Sequence, residues 1–196
     1  MSVIPYLPLS EVIDDAKLMK PCWESLSRPQ QVCIKAFYGL PLTEPEDLAI
    51  WSILHDAVVY DALGYPQSIT VYPYVPKEYS VFVGILGRRA GKSAAITAFM
   101  ALYEILFGGH LEHITAGQDV IVPYIAQDLA TAKANMGHIE LMAAKSKSLK
   151  AQIKNATRDK IEFANGITVL PEPPAIKTGR GFAMPIVIGD EVGFWY

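Results

Sequence analysis

The sequence predicts an α/β protein with a doubly wound, mostly parallel sheet, preceded by a helical segment. Three observations predict it. Residues 79–86 (YSVFVGIL), 120–125 (VIVPYI) and 185–189 (PIVIG) are short, nearly continuous apolar runs, as expected of strands buried on both faces. Segments with helical periodicity alternate with these runs. Finally, 51% of the 196 residues are hydrophobic and 19% charged, enough for a sizeable core and unlike a disordered or low-complexity chain.

The elements follow in order. Residues 28–40 (RPQQVCIKAFYGL) place Val32, Ala36 and Leu40 at near-helical spacing, with Pro29 suited to a first turn and Pro41 as a stop. Thr43 can cap the next helix, whose first turn holds Glu44, Glu46 and Asp47, where the positive helix end favours acids. Its apolar stripe runs through Leu48, Trp51, Ile53 and Leu54. Leu63-Gly64-Tyr65-Pro66 is a break, which divides the chain into a helical segment, 1–68, and an α/β core, 69–196. In the core, the strand at 79–86 is followed by an Ala- and Leu-rich helix over 93–107, closed by Gly108-Gly109. After the strand at 120–125, Asp128 caps a helix with the stripe Leu129, Ala132, Met136, Ile139 and Ala143. Residues 160–170 (KIEFANGITVL) form a hairpin around Asn165-Gly166, and 185–189 is the last strand.

Composition narrows the function classes. No apolar run reaches the roughly 18 residues that span a bilayer, and the N-terminus has no basic segment followed by an apolar one. Cys22 and Cys33 make neither a disulfide framework nor a metal motif, which fits a reducing, intracellular setting. The net charge of −3 argues against a strongly basic coat. Residues 1–70 carry four basic and nine acidic residues, whereas 145–160 hold six basic residues and one acid. A site for a polyanion is therefore expected late in the chain.

The most informative residues are Gly87-Arg88-Arg89-Ala90-Gly91-Lys92-Ser93, between the first core strand and the Ala-rich helix. A triphosphate needs inward backbone N–H groups, a helix N-terminus, a flexible ammonium and a hydroxyl for Mg²⁺. Gly91 permits close approach, Lys92 reaches the β- and γ-phosphates, and Ser93 ligates Mg²⁺. The common spacing has its first Gly at position 86, which is Leu here, so the loop is a deviant form carrying two arginines. A chance Gly-Lys-Ser at a helix start is the bland alternative. The strand at 185–189 ends in Asp190-Glu191. In phosphate-loop ATPases the first such acid holds the magnesium shell and the second polarises the attacking water. Asp190-Glu191-Val192-Gly193 also matches the D-x-x-G of GTPases. However, a strand–helix unit and a hairpin separate Lys92 from Asp190, more chain than a small GTPase has there. The predicted core is thus a phosphate-loop NTPase of the catalytic-Glu class.

Together these segments resemble the N-terminal ATPase domain of the tailed-bacteriophage terminase large subunit, a DNA-packaging motor. Five pieces carry the resemblance: Leu26-Ser27-Arg28-Pro29-Gln30 with Ala36-Phe37-Tyr38-Gly39-Leu40-Pro41-Leu42; the loop from Gly87 through Ser93; AQDLATA from Ala126 through Ala132; Phe163-Ala164-Asn165-Gly166 with Gly179-Arg180-Gly181-Phe182; and Asp190-Glu191. Gly189 departs from the apolar residue usual there. The resemblance implies ATP and Mg²⁺ as ligands. Gly87, Arg88, Arg89, Ala90, Gly91, Lys92 and Ser93 would bind the triphosphate, and Ser93 and Asp190 the metal. Glu191 would activate water, with Arg88 acting in cis on the γ-phosphate. Gln30 would read adenine, against the alternative of a surface Gln in a helix start. Arg180 would reach a neighbouring subunit's nucleotide, against that of a surface ion pair. The implied partners are double-stranded DNA, a portal protein, a small terminase subunit and further copies in a ring, in the host cytoplasm and without a membrane. The family's chain continues into a coupling segment, a lid and a metal-dependent nuclease domain. This implies that the present chain is a fragment or truncated product, without nuclease residues and with a gap in its sheet between the phosphate-loop strand and the acid-bearing strand. Other readings are a DNA-dependent ATPase such as a helicase, or a nucleotide-binding module without turnover.

Two weaker signals remain. His110 and His113 could ligate a metal on a helix, although Gly108-Gly109 favours a loop. Lys147, Lys150, Lys154 and Arg158 would form one stripe if helical, available to DNA phosphates or simply solvated.

Overall fold

The computed structural model describes residues 6–55, 57–60, 66–69, 74–84, 91–174 and 181–191. The chain is α/β and divides into two compact units. One comprises Met1–Ser25 and Leu86–Tyr196, the other Leu26–Ile85.

The larger unit is built on a five-stranded sheet. Its strands are β3 (Ile121–Ile125), β4 (Ile153–Ala156), β5 (Ile161–Phe163), β6 (Thr168–Glu172) and β7 (Ile188–Gly189), in the order β4-β5-β6-β3-β7. β4, β5 and β6 pair antiparallel, whereas β6 and β7 flank β3 in parallel. The sheet is therefore mixed, not mostly parallel. The reason is the tight turn at Asn165-Gly166, which returns the chain antiparallel, with Gly166 at φ 95°. Gly166 N–H donates to Phe163 O, Asn165 Oδ1 accepts from Ile167 N–H, and Asn165 Nδ2 donates to Ile105 O at 2.8 Å. The expected hairpin is present and is tied to a helix by its own turn residue.

That helix, α5 (Ala98–Phe107), follows a π-helical turn over Lys92–Thr97. Gly91 O accepts from both Ala95 N–H and Ile96 N–H, which opens the first turn. α5 is buried nearly all round. α6 (Leu129–Ala143) begins at Asp128, whose carboxylate accepts from Thr131 N–H. That contact lowers the pKa of Asp128. Ala132, Met136, Ile139 and Ala143 face the core as the periodicity predicts, Met142 joins them, and Leu129 is exposed. The N-terminal helices α1 (Leu9–Asp14) and α2 (Lys20–Glu24) complete the unit. They are fastened by Leu7 N–H to Phe107 O, Tyr103 O–H to Leu7 O, Ser146 Oγ to Lys17 O and the Trp23–Phe99 ring pair.

Gly137 lies inside α6, where an added Cβ would meet nothing within 4 Å. Gly137→Ala is expected to stabilise the chain by about 0.5–1 kcal/mol, because Ala loses less backbone entropy in a helix. A rise of roughly 1–4 °C in Tm checks this, and a fall would contradict it.

The smaller unit holds α3 (Arg28–Phe37), α4 (Pro45–His55) and a two-stranded antiparallel ribbon, β1 (Ala57–Tyr60) and β2 (Pro66–Ile69). Pro29 sits in the first turn of α3 as expected. Of the stripe expected in α4, Leu48 is exposed and Ile53 is 76% exposed, whereas Trp51 is half-buried against the Tyr74 ring. Among the described side chains of α4, Asp47 is fully buried, held by Arg28 Nε and by Lys35 Nζ at 2.9 Å. Two cations on α3 supply what burial of that carboxylate requires, so charge pairing orients α4. Burial opposes ionisation of Asp47 but is outweighed by the hydrogen bonds and charges of Lys35 and Arg28, which hold its pKa below the usual carboxylate value. A lowered folded-state pKa gives stabilisation that is present above the unfolded value of about 3.9 and lost as pH falls through the lower folded value. Unfolding midpoints measured between neutral and acid pH should therefore fall less steeply in Asp47→Asn than in the wild type. Equal slopes would contradict the assignment.

The strand expected at 79–86 is not formed over 79–84. Val81 and Val83 are exposed, and the segment joins its unit through Tyr79 N–H to Phe37 O, the Tyr38–Glu78 bridge and the Phe37–Phe82 ring contact. An apolar run becomes a strand only when another strand satisfies its N–H and C=O groups, and none does so among the described residues. The strand expected at 185–189 shortens to Ile188–Gly189, and Pro185 has no N–H to offer a neighbour at its start. The basic stripe also divides: Lys147 and Lys150 lie in α7 (Lys147–Lys150), Lys154 in β4 and Arg158 in the following turn. No helix among the described residues is long and apolar enough to cross a membrane.

Candidate functional site

Parallel strands place the residues that follow them at one end of a sheet, where ligands of α/β proteins bind. Here β3 and β7 pair with Tyr124 opposite Ile188 and Ile125 opposite Gly189. A parallel bridge between Val120 and Ala183 aligns the incoming chain, and Asp190 N–H donates to Ile125 O at 2.8 Å. Asp190 thus leaves β7 at the carboxyl end of the two strands.

Four side chains meet there. Ser93 Oγ donates to Asp190 Oδ2 at 2.5 Å, although the two residues are 97 positions apart. Asn135 Nδ2 on α6 donates to the same oxygen at 2.9 Å, and Tyr124 O–H on β3 at 3.2 Å. Asp190 is 5% exposed and Tyr124 fully buried. A carboxylate so enclosed requires donors, and three converge on it. Burial, with the Asp190 charge beside it, pushes the Tyr124 phenol well above its ordinary pKa, so it stays a donor across the working pH range.

Lys92 immediately precedes Ser93, and Glu191 immediately follows Asp190. Lys92 Nζ lies 4.0 Å from Glu191 Oε1, and both side chains are about one-third exposed, at 33% and 30%. Gly91 enters the π-helical turn at φ 75°, which Gly adopts without steric cost. Glu191 has φ 55°, the only non-Gly residue with positive φ among the described residues. An L-residue there carries backbone strain, of a kind that clusters at ligand sites. In front of the buried Asp190 and the half-buried Ser93, the site therefore presents two charged groups of opposite sign to solvent.

Of the residues singled out in the sequence, the structure brings together Lys92, Ser93, Asp190 and Glu191. Gly87, Arg88, Arg89 and Ala90 lie outside the described residues, as does Arg180. Gln30 belongs to the smaller unit, where its Oε1 accepts from Ser27 N–H at 2.8 Å in the capping box of α3. His110 and His113 form a 3₁₀ turn, His110–His113, with His110 Nε2 2.7 Å from Glu104 Oε2. Among the described residues no group of three or more His, Cys, Asp or Glu could hold a metal ion.

Sequence reasoning missed Tyr124 and Asn135. Tyr124 looks like core within an apolar strand. Asn135 did leave a signal: it lies three positions after Ala132 and four before Ile139, an amide within the apolar stripe of α6. Comparison with protein families, with curated proteins and with solved structures finds no match to this chain.

Proposed function

We propose that the chain is an ATP-hydrolysing domain of the phosphate-loop, catalytic-Glu class, serving as the motor domain of a viral terminase large subunit that drives double-stranded DNA into procapsids. The observation that carries the nucleotide reading is the Ser93–Asp190 hydrogen bond. A chance Gly-Lys-Ser has no reason to rest its hydroxyl on the strand-end acid of a second motif. The DNA-packaging reading rests on the terminase-like segments.

The donor set suits Mg²⁺. Ser93 and Asp190 offer a hydroxyl and a carboxylate oxygen, both hard ligands, at a place where Asp190 is already oriented. Bound there, Mg²⁺ supplies positive charge to the β- and γ-phosphates. The chain's own residues do the rest. Lys92 neutralises charge on the transferring phosphoryl group, and Gly91 lets the backbone approach it. Glu191, beside Lys92, accepts a proton from the attacking water and orients it. In this reading Arg88 adds charge in cis, Arg180 does so from a neighbouring copy in a ring, and Gln30 reads adenine. A portal protein and a small terminase subunit are the expected partners, in the host cytoplasm.

Phosphate release from Mg–ATP, measured with and without linear double-stranded DNA, tests the proposal. It predicts release that DNA accelerates. Nucleotide binding without release would make the chain a binding module, and release indifferent to DNA would remove the motor assignment.

A further inference from the structure

Asp190 Oδ2 receives more donors than it can use once a metal binds. A carboxylate oxygen has two lone pairs, yet Ser93 Oγ, Asn135 Nδ2 and Tyr124 O–H all point to this one. Ser93 is the donor with a second task, because metal ligation would draw its oxygen away. Asn135 and Tyr124 would then remain, and two donors suffice to fix the oxygen. Tyr124 is fixed by burial and has little freedom to respond. Asn135 is half-buried on α6, between the buried residues Ala132 and Met136, where Ala would pack and propagate a helix better. Its amide does a job that packing does not require.

We infer that Asn135 is a positioning residue for the Asp190 carboxylate, holding it in the metal-receiving orientation when Ser93 lets go. The inference rests on the nucleotide reading above and extends it to a residue of α6. Without the amide, Asp190 turns more freely and metal binding must pay the ordering cost. A charge-assisted hydrogen bond of this kind is worth about tenfold in an equilibrium constant.

The test uses the whole chain and its Asn135→Ala and Asn135→Leu variants. Calorimetry measures binding of a non-hydrolysable ATP analogue across a Mg²⁺ series and in EDTA, and a thermal melt records Tm. The half-saturating Mg²⁺ concentration should rise about tenfold in Asn135→Ala, with affinity in EDTA unaltered. The same rise is expected in Asn135→Leu, which keeps the volume of the side chain and loses the donor. Wild-type binding with an unchanged Mg²⁺ requirement in Asn135→Ala would overturn the inference and leave the nucleotide reading standing. So would a fall in Tm alone, which marks a structural residue. A wild-type chain that binds no analogue at any Mg²⁺ concentration would overturn both.

Discussion

Glu191→Gln is expected to keep ATP affinity within about twofold and slow hydrolysis by at least 10²-fold, the scale of a lost general base. Glutamine keeps the shape of the side chain and loses its basicity. The geometry separates the two consequences. Glu191 is not among the donors and acceptors around Asp190 Oδ2, so its replacement leaves Ser93, Tyr124 and Asn135 in place. The side chain is partly exposed beside Lys92, where it can reach a water molecule rather than hold the fold. Its φ of 55° is backbone strain of the kind found at ligand sites. Equilibrium binding and single-turnover phosphate release, measured on the same preparation, check this. Unchanged release would remove Glu191 from the chemistry, and lost binding would make it a ligand-holding group.

Lys92→Ala should lose both binding and turnover, with hydrolysis falling by about 10²–10³. Lys92 is the ammonium at the head of the π-helical turn, 4.0 Å from Glu191 and one-third exposed. A triphosphate brings several negative charges to a place that already holds Asp190 and Glu191. Without the lysine those like charges meet uncompensated. Folding should tolerate the change, because the buried face of this segment is Ile96 and the α5 residues. Nucleotide titration together with a thermal melt separates the two effects. An unaltered affinity would remove Lys92 from the phosphate site, and a collapsed melt would make it structural.

Local chemistry was legible in the sequence, and pairing was not. Asp128 marked the start of α6, Asn165-Gly166 marked a hairpin, and β3 stood out as an apolar run, because each signal lies within a few residues. The two acids after β7 and the Gly-Lys-Ser were legible for the same reason. What failed depended on partners far along the chain. Residues 79–84 have a strand's composition but no neighbour that makes them one among the described residues. β1, β2 and β4 were missed because their runs are short or polar and are strands through pairing alone. The burial of Asp47 in α4 was missed because a carboxylate goes inside only when cations such as Arg28 and Lys35 meet it. Asn135 and Tyr124 escaped notice because their role appears only once Asp190 is beside them.

Ser93 and Asp190 are expected to exchange their mutual hydrogen bond for a shared metal when a triphosphate binds beside Lys92. A structure of the Glu191→Gln chain with ATP and Mg²⁺ measures this directly. The triphosphate should lie against Gly91 and Lys92, with Ser93 Oγ on the metal and Asp190 still held by Tyr124 and Asn135. Nucleotide bound elsewhere, with Ser93 Oγ still donating to Asp190, would contradict it.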